Sequence, residues 1–323
     1  MSQYDVAIIG GGAAGLSAAL ILSRARRAVL VVDAGAPRNA SAPQMHGYLS
    51  RDGIAPSDFT AAGRREVNSY GGELVEGTVT NLVPDGRSGF WVLLADGRRI
   101  SARRLLVTTG LRDELPDIPG LRERWAIDVL HCPYCHGYEV RDGQLGVLGG
   151  TPGAVRSAQI VRQWSHDVVY FTPPGLLTAT ERSQLLARAI GVVEGTIEQL
   201  VIDETDRLHG VQMRDGCVIP RRTLFVPPGF VPNSSLLVDL AVAADIDGWV
   251  TTDSTGRTSV PGVWAAGNVV DPRAQVITAA GAGSAAAIAL NADLVEEDVR
   301  NAVRDLDHGL LPRPTASTNP KEF

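Results

Sequence analysis

Residues 131–136 read His131-Cys132-Pro133-Tyr134-Cys135-His136, the densest concentration of reactive side chains in the chain. A two-residue spacer puts both sulfurs within disulfide reach, and neighbouring groups can acidify a thiolate at such a site well below the free-thiol value of about 8.5. Other chemistries also fit these letters. Two cysteines and two histidines are a possible zinc set, although adjacent His–Cys pairs chelate poorly and no further ligand cluster accompanies them; no metal is expected. Cys-x-x-Cys-His also spells the c-type haem attachment signature, which requires export. An inert buried pair is the remaining alternative. Cys217 has no evident partner and is expected to be structural.

Such a centre needs a scaffold, and the glycines indicate one. Residues 5–9 are an apolar run that ends in Gly10-Gly11-Gly12-Ala13-Ala14-Gly15. An Ala-rich helical stretch follows, then a second apolar run closing on Asp33. Strand, glycine turn, helix and strand make a βαβ dinucleotide-binding unit. Gly10 makes the tight turn, Gly12 lets the backbone approach a pyrophosphate, and Gly15 packs the helix onto the sheet. Free N–H groups and the positive dipole end of the helix then face the phosphate, and the Asp33 carboxylate suits ribose hydroxyls.

The pattern returns at 145–148, followed by Gly149-Gly150-Thr151-Pro152-Gly153-Ala154, a helix-like stretch to about Trp164 and a strand at 168–171. Superposing the two fingerprints sets Thr151 on Gly12 and Thr172 on Asp33. The middle glycine and the ribose acid are thereby lost, and Pro152 removes a backbone donor near the helix start. No arginine stands between Arg162 and Arg182 to hold a 2′-phosphate. These losses argue against NAD(P)H, with a divergent site working through the Gly149–Gly150 backbone as the alternative. Runs ending in Thr108-Thr109-Gly110 and Pro227-Pro228-Gly229 each close a parallel strand, and a Gly267-Asn268 turn precedes an Ala/Gly-rich helix expected to end near Asn291.

The chain has 323 residues, 44% hydrophobic and 20% charged. That length suggests two domains of roughly 150 residues and a globular α/β protein. A net charge of −6 offers no basic surface for nucleic acid. No apolar run reaches the ~18 residues of a membrane helix, and the polar start Met1-Ser2-Gln3-Tyr4-Asp5 carries no basic leader. Three cysteines make no secreted disulfide framework. A cytoplasmic enzyme is expected, with a flexible tail from Leu310 onward.

Together, the flavin-type fingerprint, the Thr-Thr-Gly strand end, the CxxC and the Ala265-Ala266-Gly267-Asn268 segment resemble the low-molecular-weight thioredoxin reductase family across nearly the whole chain. The resemblance implies two Rossmann-like domains: a discontinuous FAD domain from 1–112 and 241–323, and an inserted NAD(P)-type domain, 113–240, carrying the cysteines. It implies FAD contacts at Gly10, Gly12, Ala14, Gly15, Asp33, Ala34, Thr109, Gly110, Gly267, Asn268, Gln275 and Val276. Arg38 and Asn39 would wrap the adenosine end, with Arg38 near the diphosphate, or belong to an ordinary surface loop. His46 and Asp52 would reach ribityl or phosphate oxygens or play a structural role, and Val79 would meet the adenine edge through its backbone. Asn268 departs from the family's usual Asp.

By the same resemblance Cys135 exchanges electrons with the flavin and Cys132 forms the mixed disulfide with substrate. Reductases of the family usually place Asp after the second cysteine, where this chain has His136. An imidazole can take a thiol proton and return it, and His131 is a further candidate for that chemistry. Thr172-Pro173-Pro174-Gly175 also stands where NADPH-using relatives are arginine-rich. The sequence therefore resembles the dithiol-oxidase branch, which closes disulfides in natural products of the gliotoxin and holomycin type. That branch implies a small-molecule dithiol and O₂ as reactants, the family implies a homodimer, and charge and hydropathy give no expectation of a nucleic-acid or membrane partner. A disulfide reductase fed by NADPH or another donor is the alternative.

Overall fold

The computed structural model describes residues 3–308 and 310; the tail expected from Leu310 onward lies, past Leu310 itself, outside the described residues. Contacts divide the chain into two compact units. The first takes the chain up to Gly35, Gly63–Thr109 and the described residues from Ser234 onward; the second takes Ala36–Ala62 and Gly110–Asn233. This division differs from the sequence-based one at 36–62, which groups with the cysteine-bearing unit, and at the junctions 110–112 and 234–240.

In the first unit the strand Gln3–Ile9 lies between Val29–Asp33 and Arg99–Val107, parallel to both, with Val6 opposite Val29 and Ile9 opposite Val107. Glu73–Glu76 extends this sheet on one side. Arg99–Val107 is long enough to serve two partners: its start pairs antiparallel with Phe90–Leu94, and its end pairs parallel with Val263–Ala265. Val6, Ala7, Ile8 and Ile9 are all buried because both faces of the sheet are covered. Ala7, Ile9, Leu105 and Val107 pack on one side with Phe90, Val92 and Leu237. Val6, Ile8, Val31 and Leu106 pack on the other, under the helices Ala13–Arg24 and Val276–Asp307.

The last of these helices runs well past the expected end near Asn291. Its second half is acidic, and its partners are remote in sequence. Asp293 bonds Arg104 Nε at 2.6 Å, Asp298 bonds Arg27 at 2.7 Å and Arg103 at 2.6 Å, and Glu297 pairs closely with Arg104. The expectation that nothing is long enough to cross a membrane also needs correcting: by length and composition this helix passes. It is a core helix here, with Ala279, Ala280, Gly283, Ala286, Ala287, Leu290 and Leu294 buried. Small residues let the two helices meet backbone to backbone, since a Cβ at Gly283 would land on the Ala14 carbonyl. Another face exposes Ile277, Ile288, Val295, Val299 and Val303.

The second unit repeats the scheme with a parallel sheet in the order Gly191–Glu194, Val168–Thr172, Leu145–Leu148, Thr223–Phe225, Val129–Leu130. One face packs on the helix Ala154–Val161 and Leu185. The other packs on an antiparallel sheet of Ile197–Ile202, Leu208–Met213 and Val218–Pro220. Leu111–Glu114 and Gly229–Pro232 form a separate antiparallel ribbon.

Candidate redox centre and dinucleotide cradles

The redox pair sits just past the end of a buried strand. Val129–Leu130 lies beside Thr223–Phe225 in the sheet, and the chain turns at His131 into the one-turn helix Pro133–His136. Cys132 caps that turn: Pro133 suits the first helical position, and the Cys135 N–H donates to Cys132 Sγ at 3.1 Å. Cys132 and Cys135 form a disulfide with Cα atoms 5.2 Å apart. With both sulfurs in that bond, neither is a thiolate ligand for a metal. Gly137 follows because a Cβ there would strike the Trp164 ring, on whose edge Tyr134 packs at 5.6 Å. Tyr134 and Tyr138 are exposed around the pair. Cys217, expected to be structural, is exposed in a hairpin turn.

The two histidines differ. His131 packs edge-on to Phe230 at 5.1 Å, and its buried Nδ1 has no hydrogen-bond partner. Burial, reinforced by the Arg38 guanidinium, lowers its pKa to about 4, so the ring is neutral at physiological pH. His136 is half-buried and also shifted down, by burial first; Glu139 opposes the shift and His46 adds to it.

His46 and Asp52, expected on the cofactor, belong to this same unit. His46 Nδ1 lies 3.3 Å from Asp52 and its Nε2 lies 3.5 Å from Glu139, while the Gly47 N–H donates to Asp52 at 2.8 Å. That N–H first, and His46 second, hold the Asp52 carboxyl below its usual range. Arg38 forms a two-pronged pair with Asp113 at 2.7 and 2.8 Å and stacks over Phe230. Asn39 and Gly110 also fall in this unit.

Of the expected cofactor residues, Gly10, Gly12, Ala14, Gly15, Asp33 and Gly267 fall together in the first unit. Gly10 takes a positive φ of 109°, where a Cβ would meet the Thr108 carbonyl 2.5 Å away. A Cβ at Gly15 would fall on the Gly10 carbonyl oxygen, so the helix can pack there only with glycine. At Gly12, the residue preceding the helix, a Cβ would meet nothing within 4 Å. No side chain caps this helix and no acid occupies its first turn, so its N–H groups suit an anion. Asp33 accepts from the Gly11 N–H at 3.1 Å and pairs closely with Arg64. The Gly77 N–H donates to the Asp33 carbonyl, bringing in the strand that starts at Val79, and Ala34 follows Asp33 directly.

The Gly267 turn closes on the same helix, since a Cβ at Gly267 would lie 3.0 Å from the Ala14 Cβ. Asn268 next to it donates its amide Nδ2 to the carbonyls of Asp271 at 2.9 Å and Ala274 at 3.0 Å. That leaves Oδ1 as its acceptor. Gln275 and Val276 begin the long helix, and Thr109 lies just past the end of the central strand Arg99–Val107. An open glycine, an uncapped helix N-terminus and a shielded carboxylate together fit FAD.

Sequence reasoning missed Arg64, Glu139, Trp164 and Phe230. Glu139 was findable as a carboxylate three residues beyond His136. The others act through partners far along the chain and leave no local signal. The helix after the second glycine turn starts at Ala154, after Gly153 in the left-handed region, and stops at Val161, short of the expected end near Trp164.

A family model described as pyridine nucleotide-disulphide oxidoreductase matches residues 4–284. The structure titled as that of HlmI superposes with a TM-score of 0.92 and 54% identity, over 96% of this chain and 98% of that one. A putative thioredoxin reductase TrxB from Bacillus anthracis gives 0.87 and 32% identity, over 91% and 99%. The thioredoxin reductase tcpT of Claviceps purpurea is 38% identical over 164 residues, 49% of this chain and 51% of that protein. The chain thus spans about half the length, or less, of the first curated relatives it matches.

Proposed function

Because this chain belongs to the pyridine nucleotide-disulphide oxidoreductase family, a family of flavin-dependent enzymes, we propose that it is a dithiol oxidase. It closes an intramolecular disulfide in a small-molecule dithiol, with O₂ as acceptor and H₂O₂ as product. The observation that carries this reading is the Cys132–Cys135 disulfide with the half-buried His136 directly after it. Burial lowers the His136 pKa, so its neutral, proton-accepting form dominates at physiological pH. The likeness to HlmI and tcpT agrees with the branch that the Cys-x-x-Cys-His pattern resembles.

His136 takes the proton of one substrate thiol. The thiolate attacks Cys132 Sγ, the Cys132–Cys135 bond breaks, and its electron pair stays on Cys135 as a thiolate. The second substrate thiol loses its proton and attacks the substrate sulfur of the mixed disulfide. The product disulfide leaves and Cys132 becomes a thiolate, so the pair now holds the two electrons that the substrate lost. Bound FAD would supply the chemistry that passes these two electrons to O₂, and the two substrate protons would leave with the H₂O₂. Gly12, the helix N-terminus at Ala13, Asp33 and Asn268 would hold the cofactor. We assign the enzyme to the cytoplasm and to a homodimer.

A second reading, an NADPH-fed disulfide reductase, draws on the glycine turn and parallel sheet kept in the second unit. Anaerobic titration of the flavin spectrum separates the two. The oxidase is bleached by a small dithiol and not by NADPH, and releases H₂O₂ when air is admitted. Stoichiometric bleaching by NADPH would make the protein a reductase.

A further inference from the structure

The second glycine turn is filled from within. Tyr170 stands on the strand Val168–Thr172 at the place that Val31 holds in the first unit, counting back from Thr172 and Asp33. Both side chains enter the core beneath their helix. Valine ends there, whereas the phenol extends to the glycine turn. A Cβ at Gly149 would lie 2.5 Å from the Tyr170 hydroxyl oxygen, and the residue is only 3% exposed. Burial raises its pKa, with the nearby Gly150 amide and Thr172 opposing the shift, which keeps it a neutral phenol.

Other residues crowd the same turn. Pro173 would touch a Cβ at Gly150 at 3.2 Å and Leu176 would touch it at 4.0 Å, whereas Gly12 is open. The helix begins at Ala154, while the counterpart of Ala13 is Pro152, so its N-terminal N–H groups are withdrawn from the turn. Arg182, the next arginine along the chain, is engaged with Glu194.

We propose that Tyr170 is an internal occupant of the phosphate position, its hydroxyl engaging the Gly150 amide that a dinucleotide pyrophosphate would use. The second unit then carries the disulfide pair without holding NAD(P)H. This rests on the reading above, in which electrons enter through thiols, and names the side chain that enforces it.

The test measures NADP⁺ and NAD⁺ binding to the flavin-loaded enzyme by calorimetry for wild type, Y170F and Y170V, with dithiol oxidation followed in parallel. Y170F keeps the ring and frees the amide; Y170V restores the valine of the first unit. Binding is expected to tighten in the order wild type, Y170F, Y170V, by about tenfold or more overall, with dithiol turnover unchanged. Wild type that binds as tightly as Y170V and is bleached by NADPH would overturn both this inference and the oxidase reading. Variants that keep flavin and turnover yet bind no tighter than a weakly binding wild type would overturn the role of Tyr170 alone. If Y170V loses its flavin, Y170F decides.

Discussion

At His136 the direction of the pKa shift fixes the shape of a pH profile. The imidazole works as a base only when neutral, and burial moves its titration below 6.5. On a dithiol, kcat/KM should therefore be level near neutrality and fall as pH drops below that value. His136→Gln should lose about 10²–10⁴-fold at neutral pH and lose the acidic limb, with the deficit shrinking as substrate thiols ionise unaided. An unchanged limb in this variant would place the base elsewhere. Asn268 permits a second test. Its amide donates to two backbone carbonyls, which a carboxylate cannot do, so the departure from the family's Asp is matched to its turn. Asn268→Asp should cost about 1–3 kcal/mol and weaken flavin retention, measured by denaturant unfolding and by the absorbance of the purified protein. Gly15, Cys132 and Cys135 were legible in the sequence because each meets a partner a few residues away, the Gly10 carbonyl for Gly15 and each other for the cysteines. Arg38 shows the limit: its planar guanidinium fits the Asp113 carboxylate, a pairing across the sequence that no local pattern announces.

Among the elements, the long helix Val276–Asp307 carries the clearest energetic consequence. The Ala/Gly-rich start was legible because small residues at helical spacing mark close packing. The continuation past Asn291 was not, because Asp293, Glu297 and Asp298 are charged residues whose partners Arg27, Arg103 and Arg104 come from strands and turns far upstream. Arg104 is nearly buried, at 6% exposure. Removing it strands two partly shielded carboxylates, a change that typically costs 3–5 kcal/mol. The cost here should lie near the lower figure, about 3 kcal/mol, since Arg257 still faces Asp293 and Arg103 still faces Glu297. Arg104→Met should show this loss by urea unfolding, and Arg104→Lys, lacking the fork, should recover only part of it. The helix after the second glycine turn begins at Ala154, directly after the glycine segment as the letters suggested, and ends at Val161, a few residues before Trp164.

For the whole molecule, the two-domain α/β plan was legible because each glycine turn is framed by its own strands, while the grouping of 36–62 with the cysteine-bearing unit was not. The exposed row Ile277, Ile288, Val295, Val299 and Val303 along the long helix is the surface we assign to a second copy of the chain. Ile288→Glu with Val295→Glu should shift the mass measured by light scattering from dimer to monomer, and a wild-type monomer would refute the assignment. The split first unit also bears on how the chain is made. Its central strand Arg99–Val107 waits for Val263–Ala265, and the helix Ala13–Arg24 waits for Gly283 and its neighbours, so the N-terminal glycine unit cannot close its core until the residues around Gly283 have been made. The second unit is complete in sequence by Asn233. On the ribosome it can fold while the N-terminal glycine turn still lacks its covering helix, which orders assembly so that the disulfide-bearing module forms before the flavin cradle.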